Sequence, residues 1–247
     1  MPKTAQEKIR ELFNSNVGDR RLVYDFNLFD RSVTQKLWST DYYCKQLLRL
    51  DINQFRVFPP ASDTKSADSA ITKDPLPDIP GYCRYLNLFL DGFFMNSMST
   101  LDTLAHEVFT LYDSQTARRK IYITKARDML IAYHPTCKTG ELLNEQLSQR
   151  WFTEFEPFRH CTTHESLIGY DDIGVRFDQV TQIYKLSKKI KLPDDPQARP
   201  FTYRRNREAS KYCQYVFNRI QLLVTQVYKA ALSDIRDNGN VLPIPTA

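Results

Sequence analysis

The chain has 247 residues, which suffices for one large domain or two small ones, and a net charge of +5. Its seven glycines and mean hydropathy of −0.49 favour a soluble, helix-rich protein. No run is long and apolar enough to cross a membrane, and the N-terminal MPKTAQEKIRELF is not a signal peptide. We therefore expect a cytoplasmic protein, with a charge that permits nucleic-acid binding without requiring it.

The cysteines agree with this location. They are odd in number, far apart and free of any C-x-x-C pair, at positions 44, 83, 137, 161 and 213. This pattern predicts reduced thiols in a cytosol, and it excludes a disulfide framework or a zinc ribbon.

Two helices are predicted at the N-terminus. Thr4-x-x-Glu7 has the form of a capping box, which opens a short helix to about Phe13. After a break at residues 16–19, a longer helix is expected from about Arg20 to Leu50. Its apolar residues keep helical spacing and predict a core-facing stripe: Leu22, Phe26, Phe29, Val33, Leu37, Cys44 and Leu47.

Residues 59–80 have a different composition. Five of the 13 prolines lie here among Ser, Asp, Thr and Lys, which predicts a long surface loop. A lid or a partner-binding arm is the alternative interpretation.

The segment Tyr82–Tyr112 is apolar almost all round and predicts a helix in the middle of a bundle. It also carries polar residues, which are Asn96, Ser99, Thr100, Asp102, Thr103, His106 and Glu107. Asp102 and His106 are four apart and able to pair. Buried polar groups need partners, so these residues predict either a polar network between helices or the wall of a functional cleft.

Two further helices follow. The basic triplet Arg118-Arg119-Lys120 precedes an amphipathic helix that ends at His134-Pro135, and it is a candidate contact for RNA phosphates. The next helix is expected from Thr139 to Phe155. It turns four apolar residues inward, namely Leu142, Leu143, Leu147 and Trp151.

Residues 170–201 predict an insertion with a small β-hairpin, because residues 175–177 and 184–192 show partial two-residue alternation. The last helix is expected from Thr202 to Ile235, and residues 238–247 should fray. Its inward stripe is Ala209, Cys213, Val216, Ile220, Leu223, Val227 and Ala230. Arg204, Arg205 and Arg207 would give its N-terminus the wrong charge for the helix dipole, which favours an anionic partner there.

The richest chemistry lies in Trp151–Ile168, where Arg159, His160 and His164 fall within six positions. One interpretation is a metal site, because His160 and His164 share a helical face. A third ligand is lacking, since Cys161 points about 100° away. A second interpretation of this stretch is a solvated helix end that carries its histidines and arginine by chance.

The third interpretation is anion chemistry. Arginine is a permanently charged fork for phosphate, and histidine titrates near neutrality. A helix that begins within this stretch, as Pro157 favours, would let Arg159 and His164 share a groove.

Arg159-His160-Cys161-Thr162-Thr163-His164 resembles the R-x(4–6)-H motif of the HEPN superfamily (higher eukaryotes and prokaryotes nucleotide-binding), in which a polar residue often follows the arginine. The helical part of the resemblance covers about Tyr82–Ile168 and Tyr203–Ile235. Many HEPN proteins are metal-independent RNases of defence and toxin–antitoxin systems, and others are non-catalytic.

The resemblance implies one all-α domain over residues 1–247, a bundle of five to seven helices. It implies an endoribonuclease without a cofactor, in which the RNA 2′-hydroxyl attacks the adjacent phosphate. His164 would act as general acid or base, Arg159 would hold the phosphate, and His160 would orient the pair or move a second proton. It also implies a homodimer with a shared groove, and an antitoxin or other partner protein. A non-catalytic nucleotide- or protein-binding module is the alternative, and a helical interaction protein a third.

Overall fold

A computed structural model describes residues 3–52, 79–112, 121–164, 170–171, 175–178, 183–186 and 189–237. It confirms the all-α class, with seven helices in this part of the chain. The helices are α1 (Ala5–Asn16), α2 (Arg20–Ile52), α3 (Ile79–Tyr112), α4 (Ile123–Tyr133), α5 (Lys138–Leu147), α6 (Arg150–His164) and α7 (Ala209–Asp237). The strands are β1 (Val175–Asp178), β2 (Ile183–Leu186), β3 (Lys191–Leu192) and β4 (Arg207–Glu208). The predicted tail, the basic triplet at 118–120 and residues 59–78 of the predicted loop lie outside the described residues.

The capping box at α1 forms as predicted. The Thr4 side chain accepts a hydrogen bond from the Glu7 backbone N–H, and the Glu7 carboxylate accepts one from the Thr4 N–H. The buried face of α1 holds Ile9 and Phe13, and the Phe13 ring stacks on Phe26 of α2 at 4.3 Å. This contact attaches the first helix to the core.

The long helices α2 and α3 lie antiparallel in close contact. The pairs Tyr43–Phe89, Lys36–Ser99 and Phe29–His106 follow one another along the two helices in opposite directions. Helix α7 packs against α1, α2 and α5, and its predicted inward residues are buried from Ala209 through Val227, with Ala230 half-buried. The apolar core therefore runs between α2, α3 and α7.

Two predicted boundaries around the motif are wrong. The helix expected over residues 139–155 is two helices, because the chain turns at Ser148 and Gln149 between α5 and α6. Helix α6 does not begin near Pro157 but at Arg150, so this proline lies inside the helix. The change of direction lets Leu143 and Leu147 face the core from α5 while Trp151 does so from α6.

The last helix also begins later than expected, at Ala209 and not at Thr202. The carboxylate of Asp194 accepts hydrogen bonds from the Thr202 hydroxyl and the Arg204 and Arg205 N–H groups, which folds this segment into a turn. Asn206 has a φ of 50°, which asparagine tolerates well. The arginines therefore precede the helix and do not occupy its N-terminus.

The expected small β structure in the insertion is confirmed. Strands β1 and β2 pair as an antiparallel hairpin, in which Val175 lies opposite Leu186. Strand β3 pairs with β4, which ties the end of the insertion to the start of α7.

Asp234 of α7 fixes the position of α5. Its buried carboxylate accepts the backbone N–H groups of Lys138 and Thr139 at 2.9 and 3.0 Å, and the Tyr112 hydroxyl at 2.6 Å. A carboxylate at the start of a helix satisfies N–H groups that have no partner within the helix, and it matches the helix dipole. This junction joins α3, α5 and α7 at one end of the bundle.

Gly92 should be required where α2 crosses α3, since a Cβ built there would lie 2.4 Å from the Tyr43 ring. We expect Gly92→Ala to lower the free energy of unfolding by about 1–3 kcal/mol, because the clash outweighs the gain in helix propensity. Gly18→Ala is the matched control, with nothing within 4 Å of its Cβ, and should not destabilise. Urea denaturation measures both, and equal stability of the two variants would contradict the proposed close approach.

Candidate functional site: the Arg159–Asp102 pair

Arg159 lies on α6 where that helix faces α3. The Phe94 ring of α3 stacks on Phe155 at 6.0 Å and on Phe158 at 4.9 Å, which holds α6 against α3. Arg159 immediately follows these rings, and its side chain is 22% exposed. The site therefore sits at the edge of the aromatic core, where a charged side chain still reaches water.

The Asp102 carboxylate and the Tyr122 ring lie against the Arg159 guanidinium. A guanidinium nitrogen lies 3.7 Å from the Asp102 carboxylate, and its central carbon lies 5.5 Å from the centre of the Tyr122 ring. Tyr122 directly precedes α4, so α3, α4 and α6 meet here. A separation of 3.7 Å is an ion pair without a close hydrogen bond, and the aromatic face adds attraction for the cation.

Burial raises the pKa of the Asp102 carboxyl to about 6, although Arg159, the backbone N–H of Ile123 and the charge of Lys36 each lower it. The Lys36 ammonium donates a hydrogen bond to the Ser99 hydroxyl one turn away on α3. Asp102 therefore changes its charge near pH 6 beside an arginine. A titratable group whose pKa is perturbed beside a cation is a feature of functional sites.

The predicted pairing of Asp102 with His106 is not what the structure shows. Asp102 is turned to Arg159, whereas the His106 imidazole stacks on Phe29 at 5.1 Å and 18°. Burial lowers the pKa of His106, which keeps this ring neutral at neutral pH. Its Nδ1 has no hydrogen-bond partner among the described residues.

Glu107 belongs to a different environment, although it lies only five residues further along α3. It is buried and accepts a hydrogen bond from the Tyr228 hydroxyl of α7 at 2.8 Å. Burial and the nearby Asp30 charge raise its pKa well above the ordinary value. Asp30 in turn is held by Arg10 at 2.7 Å and Gln6 at 2.7 Å. This network joins α1, α2, α3 and α7, so Glu107 is structural.

The remaining polar residues of α3 bond locally. The Asn96 amide donates to the Gly92 carbonyl, and the Thr103 hydroxyl donates to the Ser99 carbonyl. Part of this polar segment therefore forms a network between helices, as one interpretation predicted, while Asp102 lies beside Arg159. The other interpretation, the wall of a functional cleft, stays a prediction.

The two motif histidines stand differently. His160 is exposed, one position and about 100° around α6 from Arg159. His164 is the last residue of α6, and only its backbone lies within the description. The structure therefore locates Arg159 and His160, and it leaves the geometry of the Arg159–His164 pair as a prediction.

Glu154 explains where two of the predicted RNA-binding arginines point. Its carboxylate lies 2.9 Å from Arg205 and 3.0 Å from Arg207, and it also pairs with Arg150. Arg207 is buried, over the Tyr212 ring at 4.7 Å. A surface cleft of about 450 Å³ lies beside this cluster, lined partly by Asp194 and Asp195. Arg150, Arg205 and Arg207 pair with Glu154, so the cluster links the insertion to α6. Of the three predicted contacts, Arg204 and Arg205 are exposed and Arg207 is buried.

Among the described residues, no group of three His, Cys, Asp or Glu side chains is placed to hold a metal ion. None of the described helices combines the length and apolarity needed to cross a membrane. All five cysteines are among the described residues, and none is disulfide-bonded.

Comparison with known proteins adds no relative: no family model, no curated protein and no solved structure matches this chain. The resemblance to HEPN proteins therefore rests on the Arg159–His164 motif and the helical context alone.

The raised pKa of Asp102 leads to a prediction about how the free energy of unfolding depends on pH. Because the folded-state pKa is raised from 3.8 to about 6, the folded protein binds a proton more tightly than the unfolded chain does. Relative to Asp102→Asn, the wild type should be most stable below pH 3.8 and should lose on the order of 2 kcal/mol as pH rises through about 6. Urea denaturation of both proteins between pH 4 and 7.5 tests this, and a constant difference in unfolding free energy would rule it out.

Proposed function

We propose that this protein is a HEPN-like, metal-independent endoribonuclease that cleaves RNA by attack of the 2′-hydroxyl on the adjacent phosphate. The observation that supports it most is the position of Arg159. It lies where α6 meets α3 and the start of α4, partly exposed beside the Asp102 carboxylate and five residues before His164.

In this proposal each side chain has one task. Arg159 binds the scissile phosphate with two donors and offsets the charge that builds on its oxygens. His164 transfers the proton of the 2′-hydroxyl or of the leaving group. Asp102 is a positioning residue, which orients the guanidinium from α3 across 3.7 Å. Because the nucleophile belongs to the substrate, the reaction uses no metal.

In this proposal a second subunit supplies the further catalytic side chains that the reaction needs. One arginine and two histidines are few groups for two proton transfers and phosphate binding, and a two-fold dimer doubles them in one groove. A role in defence or in a toxin–antitoxin pair, with RNA as substrate and an antitoxin as partner, belongs to the same proposal.

A non-catalytic nucleotide- or protein-binding module is the second candidate. It is favoured by Asp102, whose carboxylate already neutralises Arg159 and would compete with an incoming phosphate. The same cleavage assay separates the two functions, since a binding module would leave RNA intact.

The chemical prediction concerns the motif. Arg159→Ala and His164→Ala should each lower the cleavage rate by roughly 10²–10⁴-fold, and Arg159→Lys should recover little, because an ammonium lacks the planar pair of donors. Arg150→Ala, an exposed arginine on the same helix, is the matched control and should cleave normally. Products should carry 2′,3′-cyclic phosphate, and chelator should have no effect.

These outcomes are measured with single-stranded RNAs of varied sequence, alongside circular dichroism to confirm folding. Intact RNA with the wild type, cleavage that survives both substitutions, or a requirement for metal would refute the nuclease.

The prediction about assembly is a dimer. Light scattering at micromolar concentration should give about twice the 29.0 kDa of one chain. A single-chain mass at every concentration would eliminate the shared groove while leaving the helical fold intact.

A further inference from the structure

The outward side of α2 carries a regular line of exposed residues. They follow one another at alternating steps of four and three, which keeps them on one side of a helix. We call this line the outward stripe, and its members are Tyr24, Leu28, Arg31, Gln35, Trp38, Tyr42, Lys45 and Arg49.

Aromatic rings continue from this stripe across α3. Trp38 is 69% exposed and stacks on Tyr42 at 6.4 Å, and Tyr42 meets the edge of Tyr43 at 5.5 Å. Tyr43 lies 6.5 Å from Phe89, which stacks on Tyr85 at 6.1 Å. These five rings form one connected series, named here the aromatic platform. Its outer members Trp38, Tyr42 and Tyr85 are largely exposed, which single apolar residues tolerate but a connected group seldom shows.

The platform is firmly supported from below. Tyr43 packs directly against the backbone at Gly92, in space that a Cβ would fill. A ring fixed at its base offers a stacking surface at little cost in side-chain entropy.

The charges along the stripe are of one sign. Arg31, Lys45 and Arg49 alternate with the aromatic residues, and no stripe position holds a carboxylate. Asp41 flanks the stripe and pairs with Lys45, so Arg31 and Arg49 set the charge at the two sides of the rings. Exposed rings interleaved with cations match a ligand made of flat bases and phosphates.

We infer that the outward stripe and the aromatic platform bind single-stranded nucleic acid, with bases stacked on Trp38, Tyr42 and Tyr85 and phosphates beside Arg31 and Arg49. Stacking is tolerant of sequence, so the site takes a strand of mixed composition. From Tyr24 to Arg49 the stripe runs about 37 Å at 1.5 Å per residue, which is long enough for several nucleotides.

Charge argues against a second copy of this chain as the occupant. Spacing by four and three also suits helix pairing, but two such stripes would bring the cations of one copy against those of the other, and the flanking Asp41 is already paired with Lys45. A polyanion removes this repulsion.

The inference goes beyond the proposed nuclease and stands without it, since binding needs no 2′-hydroxyl. The probe is therefore fluorescein-labelled oligodeoxythymidine of about 12 nucleotides, within the range of ~4–16 nucleotides for single-strand sites. Fluorescence anisotropy at low salt should show binding that weakens steeply as salt is added. The same experiment with oligouridine on Arg159→Ala protein should give binding of the same order.

Variants then locate the site. Trp38→Ala and Tyr42→Ala should each weaken binding by roughly 5- to 150-fold, the range for loss of one stacked base. Arg31→Ala and Arg49→Ala should each remove one phosphate contact. Each should therefore reduce the slope of log affinity against log salt concentration by about 1. Tyr133→Ala is the matched control, because Tyr133 is an exposed tyrosine on α4, away from the platform. Circular dichroism confirms that each variant is folded.

Tryptophan emission gives a second readout. Trp38 is 69% exposed and Trp151 is buried at 2%, so oligonucleotide bound on the platform should quench only the emission of Trp38. Absence of binding at low salt, equal affinity of Trp38→Ala and wild type, or unquenched Trp38 would overturn the inference. So would a dimer that becomes a monomer in Trp38→Ala with binding unchanged. Intact binding without cleavage refutes only the nuclease, and cleavage with no binding here refutes only this surface.

Discussion

The antiparallel packing of α2 on α3 is the constraint on which both the Arg159–Asp102 site and the aromatic platform depend. The contact of Tyr43 with Gly92 brings the helices close and fixes their register. On one side, this register sets Lys36 beside Ser99 and Phe29 against His106, next to Asp102. On the other side, it joins the rings of α2 to those of α3. A shift of α2 by one residue relative to α3 would rotate its side chains by about 100°. This would separate the rings of the aromatic platform and move Lys36 and Phe29 away from Ser99 and His106.

Two carboxyls on α3 show how position decides chemistry. Burial raises the pKa of both Asp102 and Glu107, but their partners differ. Glu107 lies in the centre of the bundle, where the Tyr228 hydroxyl and the Arg10–Asp30 pair surround it. Asp102 lies at the edge, where it faces a cation and water. Only Asp102 is placed to exchange protons with water or to orient the Arg159 guanidinium, which is why the candidate site contains Asp102 and not Glu107.

Much of the fold was predictable, because the residues that cap a helix and the spacing of its apolar residues can be recognised within a short stretch of sequence. The capping box at Thr4 and the inward stripe of α7 follow from spacing in the sequence. The break at Ser148 and the late start of α7 do not. At Ser148 no Gly or Pro marks the turn. Before Ala209, the side chain of Asp194 accepts backbone hydrogen bonds from Arg204 and Arg205 and holds that segment in a turn. The outward stripe has a sequence signal, since Trp38 and Tyr42 fall outside the apolar face of the predicted helix.

By itself the sequence determined the all-α class, most of the helices, and Arg159 and His160 as the two candidate residues described on α6. It did so because periodicity and residue type are local properties. Tertiary structure alone decided that Arg159 meets Asp102 and Tyr122, that Arg207 is buried against Glu154, and that rings from two helices form one platform. These contacts join residues far apart in the chain. They follow from the way helices pack through their side chains, and that packing is a property of the whole core.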